Sequence, residues 1–158
     1  MKKIPLTQGR FTIVDDDDFV LVNQFKWCFN STGYAKRKFN KSIVLLHRFL
    51  LGLTSADKVK VDHKNSDGLD NRRSNLRICN DSQNQMNRKI SKRSKSGFKG
   101  VMWKKEKRKW YAQIRVNGHY HFLGYFDDKT IAAESYNQAA IKYFGDFAQL
   151  NYLASLAR

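Results

Sequence analysis

Asp62, His63 and Asn84 are residue types that phosphodiester hydrolysis uses, and they lie within 23 positions of one another. A carboxylate and an amide oxygen are hard ligands that suit Mg²⁺ or Mn²⁺, which can polarise a phosphate oxygen and stabilise a departing 3′ oxygen. A neutral imidazole beside them can take a proton from the attacking water, because the reference pKa of His, about 6.5, puts its switch near working pH. Alone, an Asp-His pair in a loop is more often a surface feature, and Asn-rich turns are common without chemistry. The case for catalysis is their combination on one recurring local pattern.

That pattern is readable from residue 59 onward. Val59 to Cys79 reads as a strand, a Gly/Asp/Asn-rich loop and a short strand. A helix capped near Asn80 or Asp81 follows. In such a ββα unit Asp62 and His63 can face Asn84 across a small cleft, with Arg72, Arg73 and Arg77 close enough to clamp a phosphate. Upstream, Phe11–Val14 and Phe19–Val22 read as strands around Asp15 to Asp18, an acidic run that fits a solvated turn better than a metal site. Trp27–Phe29 and Gly33–Ala35 suggest a further strand pair. Ile43 to Leu53, which carries His47 and Arg48, could be a strand turning into a short helix, and periodicity does not decide.

Downstream the alternation is cleaner. Val101 and Trp103, then Trp110, Ala112, Ile114 and Val116, alternate with polar or basic neighbours, and Asn117-Gly118 marks a hairpin turn before Tyr120 to Leu123. Asp127 or Asp128 should cap a helix whose inward positions are Ile131, Ala132, Ser135, Tyr136, Ala139, Ala140, Tyr143 and Phe144, ending at Gly145. Phe147 to Leu156 is apolar enough to pack back onto this domain. The fold class is α+β, with a β-rich N-terminal region and ββα unit over 1–87, a basic linker over 88–97, and a three-stranded antiparallel sheet on one helix over 98–158.

Composition names the partner. The 158 residues carry 30 Lys and Arg against 14 Asp and Glu, a formal charge of +16, which implies a polyanion, most simply nucleic acid, and the resemblances given below narrow this to double-stranded DNA. Residues 86–126 alone hold 12 basic side chains and one acidic one, Arg88, Lys89, Lys92 and Arg93 of the linker among them. No apolar run approaches the roughly 20 residues of a membrane span, and the N-terminus lacks the apolar core of a secretory signal. A cytoplasmic protein with no membrane partner, monomeric or weakly dimeric, is expected. Cys28 and Cys79 cannot build a four-cysteine zinc site, so one Mg²⁺ or Mn²⁺ ion is expected and no structural zinc.

The stretch VDHKNSDGLDNRRSNLRICNDSQNQMNR, preceded by LHRFLLGL, resembles the HNH homing-type endonucleases of the phage and intron subgroup that lacks zinc-binding cysteines. The resemblance implies that His63 is the general base and that Asp62 and Asn84 hold the metal. Asn75 would be the middle asparagine, supporting the hairpin and orienting the histidine, and His47 would be structural or phosphate-contacting. Residues 96–152 are similar to the APETALA2/ethylene-response-factor DNA-binding domain, which sets its sheet in the major groove. That implies a DNA face of Lys99, Met102, Lys104, Gln113, Arg115, Tyr120 and Phe122, with Val101, Ala112, Ile114 and Leu123 facing the helix. Met102, Gln113, Tyr120 and Phe122 stand where the plant proteins place arginines and tryptophans, so their target sequence does not carry over. Lys104 to Lys109, with Lys105 and Arg108, suits phosphate contact, and Trp110 belongs to the core.

The leading reading is therefore a DNA endonuclease making one nick per monomer. The alternative is a non-catalytic DNA-binding protein or regulator, against which the intact Asp62, His63 and Asn84 set speaks. An RNA-binding module is disfavoured, because no aromatic stacking pair stands out on an RNP-like strand.

Overall fold

The computed structural model describes residues 1–90 and 94–153. Its elements are small antiparallel sheets and four helices, an α+β fold. Contacts divide the chain into two units, Met1–Asn84 and the remainder from Gln85.

The first unit opens with a hairpin of β1 (Lys2–Pro5) and β2 (Phe11–Val14). Helix α1 (Asp16–Asn23) comes next, where the sequence reads as an acidic turn and a strand. Three aspartates in a first turn favour a helix start, since carboxylates complement the positive end of the helix dipole. Their roles are structural: Asp16 pairs with the N-terminal amine, while buried Asp18 takes Arg73 Nη2 at 2.7 Å and Nε at 2.9 Å. A three-stranded meander follows, β3 (Cys28–Phe29), β4 (Ala35–Phe39) and β5 (Ser42–Leu45), running directly into α2 (Leu46–Leu50). The core joins Ile4, Val14, Val22, Trp27, Ala35, Leu46, Leu50 and Leu76, so residues from the N-terminal hairpin to the ββα region share one apolar cluster.

The last part of this unit is the hairpin of β6 (Lys60–His63) and β7 (Leu76–Cys79), leading to α3 (Asp81–Met86). A capping box starts α3: Gln83 N donates to Asn80 Oδ1 at 2.8 Å, and Asn80 N donates to Gln83 Oε1 at 3.0 Å. An ion pair from Lys60 to Asp81 ties the first turn of α3 to the start of β6.

In the second unit β8 (Val101–Lys104), β9 (Lys109–Val116) and β10 (His119–Phe126) form a three-stranded antiparallel sheet. Helix α4 (Lys129–Phe144) packs on it, capped by the Asp128 carboxylate, which accepts from Thr130 N and Ile131 N. Its buried stripe is Ala132, Ala133, Tyr136, Ala140 and Phe144, whereas Ile131 and Tyr143, expected inside, are 56% and 41% exposed. Alanines bring the helix close to the sheet, and Tyr136 then fills the space over Gly100, where a Cβ would lie 2.1 Å from its ring. Asn151 returns to the body of the unit, exchanging hydrogen bonds with the backbone of Lys99 and the amide of Asn137. Ser96 reads as linker, yet it is buried and its hydroxyl donates to Val101 O at 2.7 Å.

Candidate active site

Strand β6 ends on the two residues of interest. Both Asp62 and His63 are buried, at 7% and 4% exposure, because β6 lies between its partner β7 and the Asp67–Asn71 segment that folds back over it. Arg77 stands opposite Asp62 on β7 and donates from Nε at 2.8 Å and Nη2 at 2.6 Å to Asp62 Oδ2. Arg77 is itself only 11% exposed, so this charge-assisted pair sits in a poorly solvated place.

The ring of His63 is oriented by a chain of hydrogen bonds that begins in the N-terminal hairpin. Thr12 Oγ1 donates to Leu69 O at 2.7 Å and accepts from Asn71 Nδ2 at 2.7 Å. The same amide nitrogen also faces Gly68 O, a group that only accepts, at 3.3 Å. Asn71 Oδ1 is thereby turned to His63 Nε2, 3.3 Å away. An amide oxygen cannot donate, so Nε2 carries the ring proton and the basic lone pair lies on Nδ1. Asn71 is fully buried, and its backbone is held too: Asn71 N donates to Ile13 O, and Ile13 N to Leu69 O, both at 2.8 Å.

Two more rings enclose the imidazole. His47, on α2, meets His63 edge to face with centroids 5.1 Å apart, and Tyr34 lies 5.7 Å from His63. Burial holds His63 below the usual histidine range, opposed by its bond to Asn71 and the charge of Asp62. His47 is pushed down to about 3, first by burial and then by the neighbouring His63 and Arg48. Its Nδ1 is buried with no hydrogen-bond partner. At 6% exposure His47 is walled in by aromatic rings, which favours the structural of its two expected roles over contact with phosphate.

Asn75 is buried as well, but it ties the loop and does not face the imidazole through any bond seen here. Its Oδ1 accepts from Asn65 N at 3.1 Å, and its Nδ2 donates to Asn65 Oδ1 at 3.0 Å and Asp70 O at 2.7 Å. Asn71 is the asparagine whose side-chain oxygen lies at His63 Nε2. Asn84 lies partly buried on α3, its backbone amide bonded to Asn80 O. No group of three or more His, Cys, Asp or Glu suited to a metal exists among the described residues. A carboxylate and an amide oxygen, those of Asp62 and Asn84, are of the donor type that suits a hard divalent cation.

A curated protein, the uncharacterized HNH endonuclease L560 of Acanthamoeba polyphaga mimivirus, is 32% identical over 148 residues, covering 91% of this chain and 76% of its own length. The chain belongs to the HNH endonuclease family. Protein 3.8 of Escherichia phage T7 is 33% identical over 61 residues, 39% of this chain and half of that protein. No family model and no solved structure matches.

In this HNH endonuclease the cations expected on DNA fall into two groups. Arg72 is held by Asp70, through Nε at 2.8 Å and Nη2 at 2.6 Å, Arg73 by Asp18 and Asp15, and Arg77 by Asp62, so each expected phosphate clamp already has an aspartate partner. The Lys99 amine donates to Met86 O at 2.6 Å and Arg88 O at 2.9 Å, so this half-buried side chain braces backbone here, and burial lowers it to about 8. Met102, Lys104, Lys105, Arg108, Arg115, Tyr120 and Phe122 are exposed, with Gln113 half-buried among them. Arg88 and Lys89 are exposed, and Lys92 and Arg93 lie outside the described residues. Sequence reasoning missed Asn71 and Thr12; the only signal was an Asp-Asn dipeptide in a loop already rich in both, and Thr12 is 59 positions away.

Proposed function

We propose that this HNH endonuclease is a metal-dependent DNA hydrolase that nicks one strand per monomer, leaving 5′-phosphate and 3′-hydroxyl ends. The observation that supports it most is the Thr12–Asn71–His63 chain of hydrogen bonds, which orients a neutral, buried imidazole next in sequence to the buried Asp62. His63 Nδ1 takes a proton from water as the water oxygen bonds to phosphorus; the P–O3′ bond breaks, and the 3′ oxygen is protonated from solvent. Asp62 and Asn84 are the residues that would hold Mg²⁺ or Mn²⁺, which when bound supplies a Lewis acid at the phosphate. Arg77 fixes the Asp62 side chain and offsets its charge until substrate arrives. A site inside a DNA-bearing compartment, the host cytoplasm or nucleoid, follows from the substrate.

The second unit, in this reading, is an APETALA2-like module that holds DNA. Support comes from its three-stranded sheet on one helix and from a turn between β8 and β9 that carries Lys105, Lys107 and Arg108. Cations that neutralise phosphates would make affinity fall steeply with salt.

Supercoiled plasmid incubated with purified protein and Mg²⁺ or Mn²⁺ tests the proposal. Open-circular product is expected, abolished by chelator and lowered at least 100-fold in His63→Ala and in Asp62→Asn. Plasmid that stays supercoiled with both metals while the protein binds it would establish the non-catalytic alternative. Equal nicking by His63→Ala would remove His63 as the base.

A further inference from the structure

The sheet of the second unit has one face on α4 and one face toward solvent, and the solvent face is aromatic. Val101, Trp110, Ala112, Ile114, Val116, Leu123 and Phe126 belong to the two apolar clusters under the helix. Side chains alternate along a strand, so Met102, Tyr111, Gln113 and Arg115 point the other way. On β10, Tyr120 pairs with Arg115, Phe122 with Gln113 and Tyr125 with Tyr111, which puts these three rings on the same outer face. Phe122 and Tyr125 are three positions apart and would point to opposite faces of a regular strand. A β-bulge between Phe122 and Gly124 shifts the register by one residue and returns Tyr125 to the outer face. Gly124 makes the bulge possible, with φ +139 and a position where a Cβ would come within 3.0 Å of the Phe126 ring.

The result is four rings on one exposed surface. Phe122 and Tyr125 have centroids 4.9 Å apart, Tyr125 and Tyr111 6.4 Å, and the Arg115 guanidinium lies 5.3 Å over Tyr120. Tyr120, Phe122 and Tyr125 are 64%, 59% and 44% exposed, so none of them holds the core together. The turn between β8 and β9, next along the chain from the strand that carries Tyr111, holds the exposed Lys105, Lys107 and Arg108. Glu106 is the only acidic side chain between residues 86 and 126.

This combination distinguishes between forms of nucleic acid. A duplex shows its grooves the edges of bases, which are read by hydrogen bonding, and hides the base faces in the stack. Ring faces among cations fit the opposite case, bases out of the stack on a charged backbone. The cations and amides on this face suited to base edges are Lys104, Gln113 and Arg115, of which Lys104 pairs with Glu106 at 3.3 Å and Arg115 Nε donates to Gly118 O at 3.2 Å.

We propose that the outer face of this sheet stacks unpaired bases, so that the protein prefers single-stranded or locally melted DNA to intact duplex. The inference rests on the reading that the second unit holds DNA, and it names the form of DNA held. The charged rim takes the phosphates, and Tyr111, Tyr120, Phe122 and Tyr125 take the bases. A nuclease so equipped is directed to bubbles, flaps and strand junctions.

The test is fluorescence anisotropy with the full chain in chelator, so that nothing is cut. The probes are a 20-nucleotide single strand, its duplex, the duplex with a five-nucleotide central bubble, and RNA of the same sequence. Single-stranded and bubble DNA are expected to bind at least tenfold more tightly than duplex. Phe122→Ala with Tyr125→Ala should remove that preference, weakening single-strand binding about 10- to 100-fold and duplex binding by much less, with the salt dependence of both unchanged. Phe122→Trp should retain it, which separates lost stacking from a damaged fold. Equal or tighter binding of duplex, a preference that survives loss of both rings, or tighter binding of RNA than of DNA would each overturn the proposal. Binding to none of the four probes would instead bring down the underlying reading that this unit holds DNA.

Discussion

Replacing Thr12 by Val tests whether the N-terminal hairpin orients the catalytic histidine. Valine matches threonine in shape, so the substitution opens no cavity and removes only the hydroxyl. Two hydrogen bonds disappear, Thr12 Oγ1 to Leu69 O and Asn71 Nδ2 to Thr12 Oγ1, both 2.7 Å. Leu69 O keeps Ile13 N as a donor at 2.8 Å, but one hydrogen on the fully buried Asn71 amide loses its acceptor. With about 0.5–1.5 kcal/mol per bond, and an unpaired buried donor pushing the sum upward, the loss is about 2–3 kcal/mol. For a unit of this size that is roughly 10–20 °C in Tm. The freed amide also rotates, and when its NH₂ group faces His63 the ring proton moves off Nε2; a three- to tenfold fall in kcat is expected, with KM little changed. Urea titration followed by circular dichroism and nicking rates well below the midpoint measure the two effects separately. Thr12→Ser keeps the hydroxyl and gives up a methyl group, at about 0.8 kcal/mol, and should keep wild-type kcat. If Ser and Val lower stability and kcat alike, or if Val costs under 0.5 kcal/mol, the hydrogen-bond chain does not position His63.

Acid should destabilise the first unit through His47. A histidine near 3 in the folded chain and about 6.5 unfolded binds protons more readily when unfolded, so its stabilising contribution is whole above pH 6.5 and falls toward pH 3, by up to about 1.4 kcal/mol per pH unit. The stability gap between wild type and His47→Gln should therefore narrow by about 2.7 kcal/mol from pH 7.5 to pH 4.5 in urea melts, and a gap independent of pH would show that His47 does not titrate this way. Gly100→Ala sets a Cβ 2.1 Å from the Tyr136 ring at φ +75, and about 3–5 kcal/mol of destabilisation is expected. A thermal scan in which the variant melts with wild type would mean that Tyr136 has room to move.

Much of the fold was legible because its signals are local. The alternation over β8 and β9, the Asn117-Gly118 turn, the Asp128 cap and Gly145 place the second unit within a residue or two, since each depends on neighbours a few positions away. The acidic run at Asp15 to Asp18 misled for the same reason: four aspartates read locally as a turn, and only the long-range pairs from Asp15 and Asp18 to Arg73 reveal a helix start docked on the candidate site. The inward stripe of α4 erred by one position, because Ala133 and not Ile131 meets the sheet at the angle the helix adopts.

From its residues alone the chain is a basic α+β protein with Asp62 and His63 at a strand end, and the types and order of side chains suffice to name phosphate chemistry. Which asparagine meets the imidazole, which nitrogen carries its proton, and that Arg73 and Arg77 are already paired were decided only in three dimensions, because each depends on contacts across 8 to 59 positions of chain. The aromatic face of the sheet is of the same kind. The three-residue spacing of Phe122 and Tyr125 would set them on opposite faces of a regular strand, and it is one bulge and the strand register that bring them together with Tyr111 on one side.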